Sequence, residues 1–393
     1  MTKKKVSFFI DSLGGGGAER VVSVLCKELV LRGYDVDILM LYKRAIAYHL
    51  PETVSVYYVE DMPITTTYGK ISRKAFEIWN KFRFRIYIPI LRKIGYRKYP
   101  KWNETSFYFY VKYALPYREY LKKNKECSTF GFLIRSNIAM LMAARGTGVK
   151  VVFCERNNPV RPDMPANIIR IRDKIYQTCR AAVFQTEEQQ GYYTRLRCDS
   201  TVIPNPIKEE LPKRYEGKRR HEIVNFCRIN AQKNLKLLID AFEVLLNDYP
   251  DYTLRIYGRG EEKENLQKYI YEKNLNQSVF LEDFASNIHE IIRDAAMFVS
   301  TSDYEGLSNS MLEALAIGLP CVCTDCDGGG ARMIIQSEVN GLLVPKRDVQ
   351  AVYSAMKRVV EEPELAEELS KNAIKIREEL SVEKIVEKWE KLI

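Results

Sequence analysis

Short apolar runs alternate with amphipathic segments through the first 205 residues. Residues 6–10 form an apolar run, a glycine-rich turn follows, and residues 18–32 then place apolar side chains at the spacing of one helix face. Strands and helices that alternate in this way are typical of parallel βαβ units. The strands predicted in this half are residues 6–10, 36–41, 54–59, 132–134, 149–154, 181–184 and 201–203.

The same alternation begins again after a polar stretch. A Pro-Asn-Pro sequence followed by mixed charges indicates a linker near residues 206–220. The strands predicted beyond it are residues 223–226, 252–257, 279–281, 297–300 and 321–324. From residue 348 onward the pattern is helical, with Pro363 opening one helix and Ser381 capping another.

Two doubly wound, Rossmann-like domains of the α/β class are the simplest architecture for this order of elements. The predicted boundaries are residues 1–205 for the first domain, 206–220 for the linker, 221–375 for the second domain and 376–393 for a C-terminal helix. Ligands of open α/β sheets bind outside the carboxyl ends of the strands. We therefore expect a ligand in a cleft between the two domains.

Composition narrows the class of protein. The 393 residues are 46% hydrophobic and 28% charged, which excludes a largely disordered chain. No run approaches the roughly 18 apolar residues of a spanning helix, and the apolar segment after the basic start is too short for a signal peptide. Nine cysteines, an odd number scattered along the chain, do not resemble a disulfide framework. We expect a cytoplasmic, reduced protein.

The net charge of +10 is unevenly distributed. Residues 1–205 carry 35 Lys/Arg against 18 Asp/Glu, and residues 70–123 alone hold 15 Lys/Arg, 3 acids and 15 aromatic residues. Interleaved cations and rings suit an anionic membrane surface, where rings bury an apolar body beneath a wet edge. The same composition would suit single-stranded nucleic acid, or a helical insertion whose rings pack on the main domain. Membrane contact is the interpretation we favour.

A short motif follows the first strand of each predicted domain. Residues 14–17 are all glycine and open the first helix, so backbone amides and the positive helix end can approach a phosphate. A dehydrogenase fingerprint is absent, because Glu19 stands where its third glycine belongs. Arg228 and Lys233 follow the first strand of the second domain and could together neutralise a diphosphate. Each motif alone is also compatible with a plain turn or with two surface cations.

The segment from Glu305 to Glu313 carries the sharpest signal. It follows a predicted buried strand and spaces two glutamates eight residues apart. At 3.6 residues per turn, both carboxylates can address one elongated ligand. The amides of Gly306 and Leu307 lie at the start of the helix, free to donate to that ligand. The structural alternative is one glutamate at a helix N-terminus and one solvated helical glutamate.

In order and spacing, the glycine loop, the R-x4-K motif and the E-x7-E motif resemble those of the retaining glycosyltransferases of family 4, which have the GT-B fold. Flanking sequences resemble the family as well, at residues 155–159, 202–206, 257–261 and 324–329. The resemblance covers nearly the whole chain and is strongest over residues 222–345. It looks closest to bacterial enzymes that extend surface or capsular polysaccharide on a lipid-linked acceptor.

The resemblance implies a role for each matching residue. Arg228 and Lys233 would hold the donor diphosphate and stabilise the charge that develops as it leaves. Glu305 would contact the transferred sugar, and Glu313 would bind the ribose hydroxyls. The other donor-site residues that it implies are Gly15, Gly16, Phe284, Gly306 and Leu307. It also implies a nucleotide sugar as co-substrate, no metal and no other cofactor, and a last helix that crosses back to the first domain.

One departure from the family concerns the loop after the fifth predicted strand. Many relatives place a histidine there, whereas this chain offers Arg156, Asn157 and Asn158, which we treat as candidate acceptor contacts. Two D-x-D sequences, at residues 35–37 and 325–327, are similar to metal-binding motifs of glycosyltransferases with the GT-A fold. Neither lies in the matching structural context, so we expect no metal site.

Together these features predict a retaining, metal-independent glycosyltransferase of bacterial surface polysaccharide synthesis. The donor would be a UDP-sugar and the acceptor a polyprenyl-diphosphate-linked or other glycan. The protein would lie on the inner face of the cell membrane through residues 70–123 and bind no nucleic acid. One alternative to a glycosyltransferase is an enzyme of the same fold that catalyses a different reaction, similar to a UDP-sugar 2-epimerase. The other is a paralogue without catalytic activity that binds nucleic acid or a membrane. The sugar, the linkage and the oligomeric state are left open.

Overall fold

The computed structural model describes residues 4–64, 67–93, 106–162 and 164–393. Two parallel sheets with connecting helices organise these residues into two Rossmann-like domains. The predicted α/β architecture is thereby confirmed. Residues 94–105, which belong to the predicted basic insertion, lie outside the described residues.

Seven strands form the first sheet. They are β1 (Lys5–Ile10), β2 (Asp35–Met40), β3 (Ser55–Tyr58), β4 (Ser128–Phe132), β5 (Val151–Cys154), β6 (Ala181–Phe184) and β7 (Asp199–Val202). Their spatial order is β3-β2-β1-β4-β5-β6-β7, and all neighbouring pairs are parallel. The order reverses between β1 and β4, which places a crevice at the carboxyl ends of these two strands.

Helices join these strands. They are α1 (Gly17–Leu31), α2 (Thr67–Phe82), α3 (Ile88–Lys93), α4 (Ser106–Phe109), α5 (Leu115–Lys123), α6 (Ile134–Ala144), α7 (Ala166–Tyr176) and α8 (Glu187–Tyr192). A π-helical segment (Arg83–Tyr87) connects α2 to α3, and another (Tyr110–Ala114) connects α4 to α5. Phe76 of α2 is buried against Ile64, Val111 and Leu115, so α2 is anchored on the first domain by a small apolar cluster.

Six strands form the second sheet. They are β8 (Arg220–Phe226), β9 (Thr253–Tyr257), β10 (Val279–Glu282), β11 (Ala295–Ser300), β12 (Cys321–Asp325) and β13 (Leu342–Pro345). The order is β10-β9-β8-β11-β12-β13, again parallel throughout, and it reverses between β8 and β11. The motifs that follow β8 and β11 therefore meet at one crevice.

The helices of the second half end with one that returns to the first domain. They are α9 (Leu235–Asp248), α10 (Lys263–Glu272), α11 (Ile288–Ile292), α12 (Asn309–Ala316), α13 (Gly330–Ile334), α14 (Val349–Glu361), α15 (Pro363–Ala373), α16 (Ile376–Glu379) and α17 (Val382–Glu390). In α17, Trp389 is buried with its ring 5.4 Å from that of Phe130 and 5.7 Å from that of Phe132. Arg32, directly after the end of α1, also donates to Glu390 at 2.5 Å.

Two elements differ from the sequence-based predictions. The strand expected at 132–134 is β4, which ends at Phe132, because Leu133 has a φ of 70° and Ile134 already begins α6. Strand β13 was not predicted at all. In the described part of the chain, no helix combines the length and the apolar character needed to cross a membrane.

Candidate active site

The glycine loop between β1 and α1 faces the second domain. Gly15 has a φ of 110°, in the region that favours glycine, and Gly16 caps α1, with its amide donating to the Glu19 carboxylate. Tyr48 donates to the Gly16 carbonyl at 2.8 Å. A Cβ atom built on Gly16 would lie 3.6 Å from the Arg228 guanidinium. The structure therefore brings the two predicted phosphate-binding motifs together.

Lys233 lies in the 3-10 turn (Ala231–Lys233) that follows β8, and it forms an ion pair with Glu305. The Lys233 side chain is 15% exposed and that of Glu305 is 14% exposed. Burial alone would lower the pKa of Lys233, but the adjacent Glu305 carboxylate outweighs it and the pKa is raised above its ordinary value. Lys233 is therefore a fully charged cation at neutral pH, beside the carboxylate that was predicted to contact the sugar.

The loop that carries Glu305 is held by its neighbours. Ser302 donates to the Glu305 carboxylate at 3.1 Å, and the Glu305 amide donates to the Asp327 carbonyl at 2.8 Å. Gly328 has a φ of 98°, and a Cβ atom there would overlap the Glu305 carbonyl oxygen. The glycine-rich loop after β12 thus packs directly against the Glu305 loop and needs glycine to do so.

Glu313 is buried in α12 and is held from two sides. Ser308 caps this helix and accepts from the Met311 amide at 3.5 Å. His289 of α11 contacts one Glu313 carboxylate oxygen at 2.7 Å, and Arg20 of α1 forms an ion pair with the other. The two glutamates of the E-x7-E motif therefore have separate cationic partners, one from the second domain and one from the first.

The amides of Gly306 and Leu307 were predicted to be free for a ligand. The Leu307 amide instead donates to the Gln185 side chain at 3.3 Å, and the Leu307 carbonyl accepts from Asn205 at 3.1 Å. Gly306 is buried, and a Cβ atom there would overlap Gln185. The Leu307 amide is therefore not free to donate to a ligand as predicted, because it donates to the side chain of Gln185, which directly follows β6.

Arg156 lies in the junction between the domains. It is buried, and its guanidinium donates to Asn205 at 2.5 Å and lies 5.3 Å from the Phe132 ring and 6.0 Å from the Trp389 ring. Burial lowers the pKa of Arg156 to about 10. No sequence pattern indicated this packing role. An acceptor contact for Arg156 stays a prediction.

The other predicted contact residues lie in loops beside the cleft strands. Asn157 is partly buried and accepts from the Asn158 amide at 2.8 Å, while Asn158 accepts from the Val160 amide at 3.2 Å. Phe284 lies two residues beyond the end of β10 and is 64% exposed. These placements leave the side chains of Asn157 and Phe284 accessible, and their roles stay predictions.

Sequence reasoning missed four residues that complete the site. They are Arg20, His289, Asn205 and Asn309. Arg20 belongs to the glycine motif but carried no assigned role, and His289 is an isolated histidine in a short helix. Asn205 and Asn309 are joined at 2.8 Å across the domain junction. Contacts between separate domains leave no periodic signal in one sequence, so only the three-dimensional arrangement shows them.

Neither D-x-D sequence is part of a cluster that resembles a metal site. Asp325 pairs with Arg332 at 2.6 Å, and Asp327 pairs with Lys346 at 2.5 Å. Among the described residues, no three His, Cys, Asp or Glu side chains are grouped closely enough to hold a metal ion.

Comparison with known protein families identifies the second domain. Residues 207–376 match the family model described as "Glycosyl transferases group 1". An uncharacterized glycosyltransferase of Haemophilus influenzae is 24% identical over 404 residues, covering 99% of this chain and 100% of the relative. A relative from Campylobacter jejuni, named as a diphospho-undecaprenol 4-alpha-N-acetylgalactosaminyltransferase, is 27% identical and covers 92% of each chain.

Solved structures show the same fold over the whole length. The crystal structure of TarM has a TM-score of 0.75 at 16% identity and covers 100% of this chain and 99% of its own. The Anabaena HepE structure with UDP and glucose has a TM-score of 0.75 at 16% identity and covers 98% of each chain. At this identity the likeness concerns the fold, and the family rests on the sequence matches. Residues 207–376 are thus similar to the group 1 glycosyltransferases, and the chain as a whole has the GT-B fold.

Proposed function

We propose that this glycosyltransferase moves a sugar from a UDP-sugar, with retention of configuration, to a lipid-linked glycan in surface polysaccharide synthesis. The printed name of the Campylobacter relative describes an acceptor on diphospho-undecaprenol, and HepE was solved with UDP. The extended basic and aromatic segment of the first domain gives an independent reason to expect a lipid-linked acceptor.

The observation that carries the proposal is the partly buried Lys233–Glu305 pair at the carboxyl ends of β8 and β11. A cation held against a carboxylate suits the point where a diphosphate meets a sugar, because the diphosphate attracts Lys233 and the sugar hydroxyls donate to Glu305. Arg228 lies beside the glycine loop and would share the diphosphate charge with Lys233.

This placement supports a reaction with retention of configuration, which we propose as follows. The acceptor hydroxyl attacks the anomeric carbon from the side on which the diphosphate leaves, and the carbon–oxygen bond to the diphosphate breaks. The hydroxyl proton passes to a departing phosphate oxygen. Arg228 and Lys233 stabilise the negative charge that develops on that oxygen, which is the task a divalent metal performs in other transferases. We therefore propose a reaction that proceeds without a metal.

Release of UDP from a panel of UDP-sugars, with and without EDTA, tests this proposal directly. In the presence of a polyprenyl-diphosphate-linked glycan, we expect one sugar to release UDP fastest and EDTA to leave the rate unchanged. Mass spectrometry of the acceptor should show one added sugar mass. A rate that EDTA abolishes and Mg²⁺ restores would contradict the metal-independent mechanism.

Lys233→Ala should lower the rate of UDP release by about 100-fold, because a donor to the developing charge is lost from a buried site. The matched control is Lys236→Ala, which removes an exposed lysine three residues away at the start of α9. We expect the control to keep the wild-type rate and both variants to keep the wild-type melting temperature. Equal rates in Lys233→Ala and the wild type would refute the assigned role.

We further propose that α2 and α3 contact an anionic membrane surface. Five apolar side chains along this continuous helix are 42% to 63% exposed, at spacings of seven, four, four and four residues. These residues, which we call the apolar stripe, are Ile71, Ile78, Phe82, Ile86 and Ile90. Exposed Lys70, Arg73, Lys74 and Lys81 accompany them. An exposed apolar stripe among cations is typical of an interfacial helix.

The double variant Ile78→Ser/Phe82→Ser should bind vesicles of phosphatidylglycerol and phosphatidylcholine at least tenfold more weakly in co-sedimentation. The reason is that burying each side chain in the interface contributes about 1.5–3 kcal/mol. Tyr271→Ser is the control, because its ring is 72% exposed on the second domain. UDP release with a water-soluble acceptor should be unaffected in both variants. Unchanged vesicle binding in the double variant would contradict membrane contact through the apolar stripe.

A further inference from the structure

The carboxylate of Glu313 is fixed from opposite walls of the cleft. His289 and Glu313 both belong to the second domain, and their contact at 2.7 Å holds one carboxylate oxygen. Arg20 belongs to α1 of the first domain and pairs with the other oxygen. The side chain of Glu313 is 8% exposed and that of Arg20 is 18% exposed, so the ion pair is largely shielded from solvent.

A second contact supports this cross-domain arrangement. Asn309 of α12 donates to the Gly17 carbonyl of α1 at 3.4 Å. Gly17 and Arg20 are three residues apart on α1, and Asn309 and Glu313 are four residues apart on α12, so each pair shares one face of its helix. The first turns of α1 and α12 therefore face each other across the cleft, with Arg20 and Glu313 in register.

Glu313 keeps hydrogen-bonding capacity despite its two partners. An ionised carboxylate offers about four acceptor positions. The only hydrogen bond to it among the described residues is that of His289 to Oε2, while Oε1 is ion-paired with Arg20 and has no hydrogen-bond partner there. The unused positions are available to the two neighbouring hydroxyls of a ribose. One terminal nitrogen of Arg20 is also buried without a hydrogen-bond partner among the described residues. A buried unpaired donor beside a half-used carboxylate is a site for a polar ligand.

We infer that Arg20 is a positioning residue for the donor nucleotide: from the first domain it holds the Glu313 carboxylate in the orientation that receives the ribose hydroxyls. The inference rests on the proposed nucleotide-sugar donor. It means that the first domain, through Arg20, also contributes to the donor site of the second domain. Because Arg20 and Glu313 lie on different domains, residues of both domains would build the site for the ribose.

Affinities for UDP and 2′-deoxy-UDP, measured by calorimetry, test the inference. The wild type should prefer UDP by about tenfold, which is the effect of one good hydrogen bond to a charged group. In Arg20→Gln the preference should fall to about twofold or less, because the carboxylate is no longer oriented. Arg32→Gln, at the C-terminal cap of the same helix and paired with Glu390, is the control and should keep the wild-type preference.

A double-variant cycle separates positioning from a general effect on folding. In a Glu313→Gln background, Arg20→Gln should weaken UDP binding no further, since its effect acts through the carboxylate. An undiminished preference for UDP in Arg20→Gln would overturn the inference, and so would tighter UDP binding, which would make Arg20 a competitor of the ribose. A wild type that binds no nucleoside diphosphate would overturn both the inference and the proposed function, whereas the first two outcomes leave the proposed function intact.

Discussion

At the scale of single residues, the cleft is organised by two carboxylates with different partners. Glu305 is paired with Lys233 of its own domain, while Glu313 is shared between Arg20 and His289. Each pair balances one negative charge with one permanent positive charge in a poorly solvated place. A third charge beside Glu313 would be uncompensated, and this adds to the effect of burial on the protonation state of His289.

His289 should be neutral at physiological pH. Burial, and then the positive charges of Lys208 and Arg20, lower the pKa of His289 to about 4. Glu313 on its own would favour protonation, but Arg20 already balances that carboxylate. The neutral ring can still donate one N–H to Glu313 while its face packs at 87° against Phe226.

His289→Gln should reduce the loss of stability at low pH. As the pH falls below 6.5, the unfolded chain binds a proton at this histidine before the folded chain does, so folding loses stability until about pH 4. The lowered pKa amounts to about 3 kcal/mol in the free energy of unfolding. Urea unfolding at pH 7 and pH 4.5 should show a loss about 2 kcal/mol smaller in His289→Gln than in the wild type. His49→Gln, at an exposed position, is the control, and an equal loss in all three proteins would refute the prediction.

Residue identities could be predicted from the sequence where a motif is local, and contacts could not. The spacing of Glu305 and Glu313, or of Arg228 and Lys233, is visible in one segment, and all four lie at the cleft. The residues that pair with these four could not be predicted in the same way. Arg20, for example, is 293 positions from Glu313, and neither segment contains a pattern that indicates contact with the other.

At the scale of elements, the strands that were mispredicted are those whose stability depends on neighbours. Strand β4 contains Gly131, a poor strand former, and its polar Ser128 and Thr129 interrupt the apolar run. In the sheet, Thr129 and Ser7 of β1 bond to each other at 2.8 Å with both side chains buried. Strand β13 is only four residues long and is fixed by pairing with β12. Long periodic helices such as α14 and α17 carried enough local signal to be predicted.

For the helix formed by α2 and α3, in contrast to β4 and β13, the sequence was informative without knowledge of its neighbours. Its composition alone predicted a surface that binds a ligand. Its basic and aromatic content pointed to a membrane or a nucleic acid, and the structure adds the exposed face on which the apolar stripe lies. Packing on the first domain accounts for only some of the apolar residues in α2 and α3. Phe76 anchors α2, whereas Ile78 and Phe82, two and six residues further on, are exposed.

At the scale of the whole molecule, one buried asparagine connects the two domains to the candidate active site. Asn205 accepts from Arg156 at 2.5 Å and from Gln185 at 2.8 Å, both in the first domain. Its amide nitrogen donates to the Leu307 carbonyl at 3.1 Å and to Asn309 at 2.8 Å, both in the second domain. The amide therefore ties the first domain to the loop that contains Glu305.

Asn205→Asp should remove the hydrogen bonds that residue 205 donates to the second domain and keep those that it accepts within the first domain. The new carboxylate keeps the acceptor contacts and can pair with Arg156, two of whose nitrogens have no hydrogen-bond partner among the described residues. Facing the Leu307 carbonyl, however, a second oxygen replaces a donor, which costs about 1–3 kcal/mol at the Glu305 loop. We expect UDP release to slow by about tenfold or more. The melting temperature should stay within a few degrees of the wild type, because the new carboxylate is paired with Arg156. Asn276→Asp is the control, since it makes the same chemical change at an exposed position of the second domain to which no role is assigned. Wild-type turnover in Asn205→Asp would show that the Glu305 loop holds its geometry without the inter-domain amide.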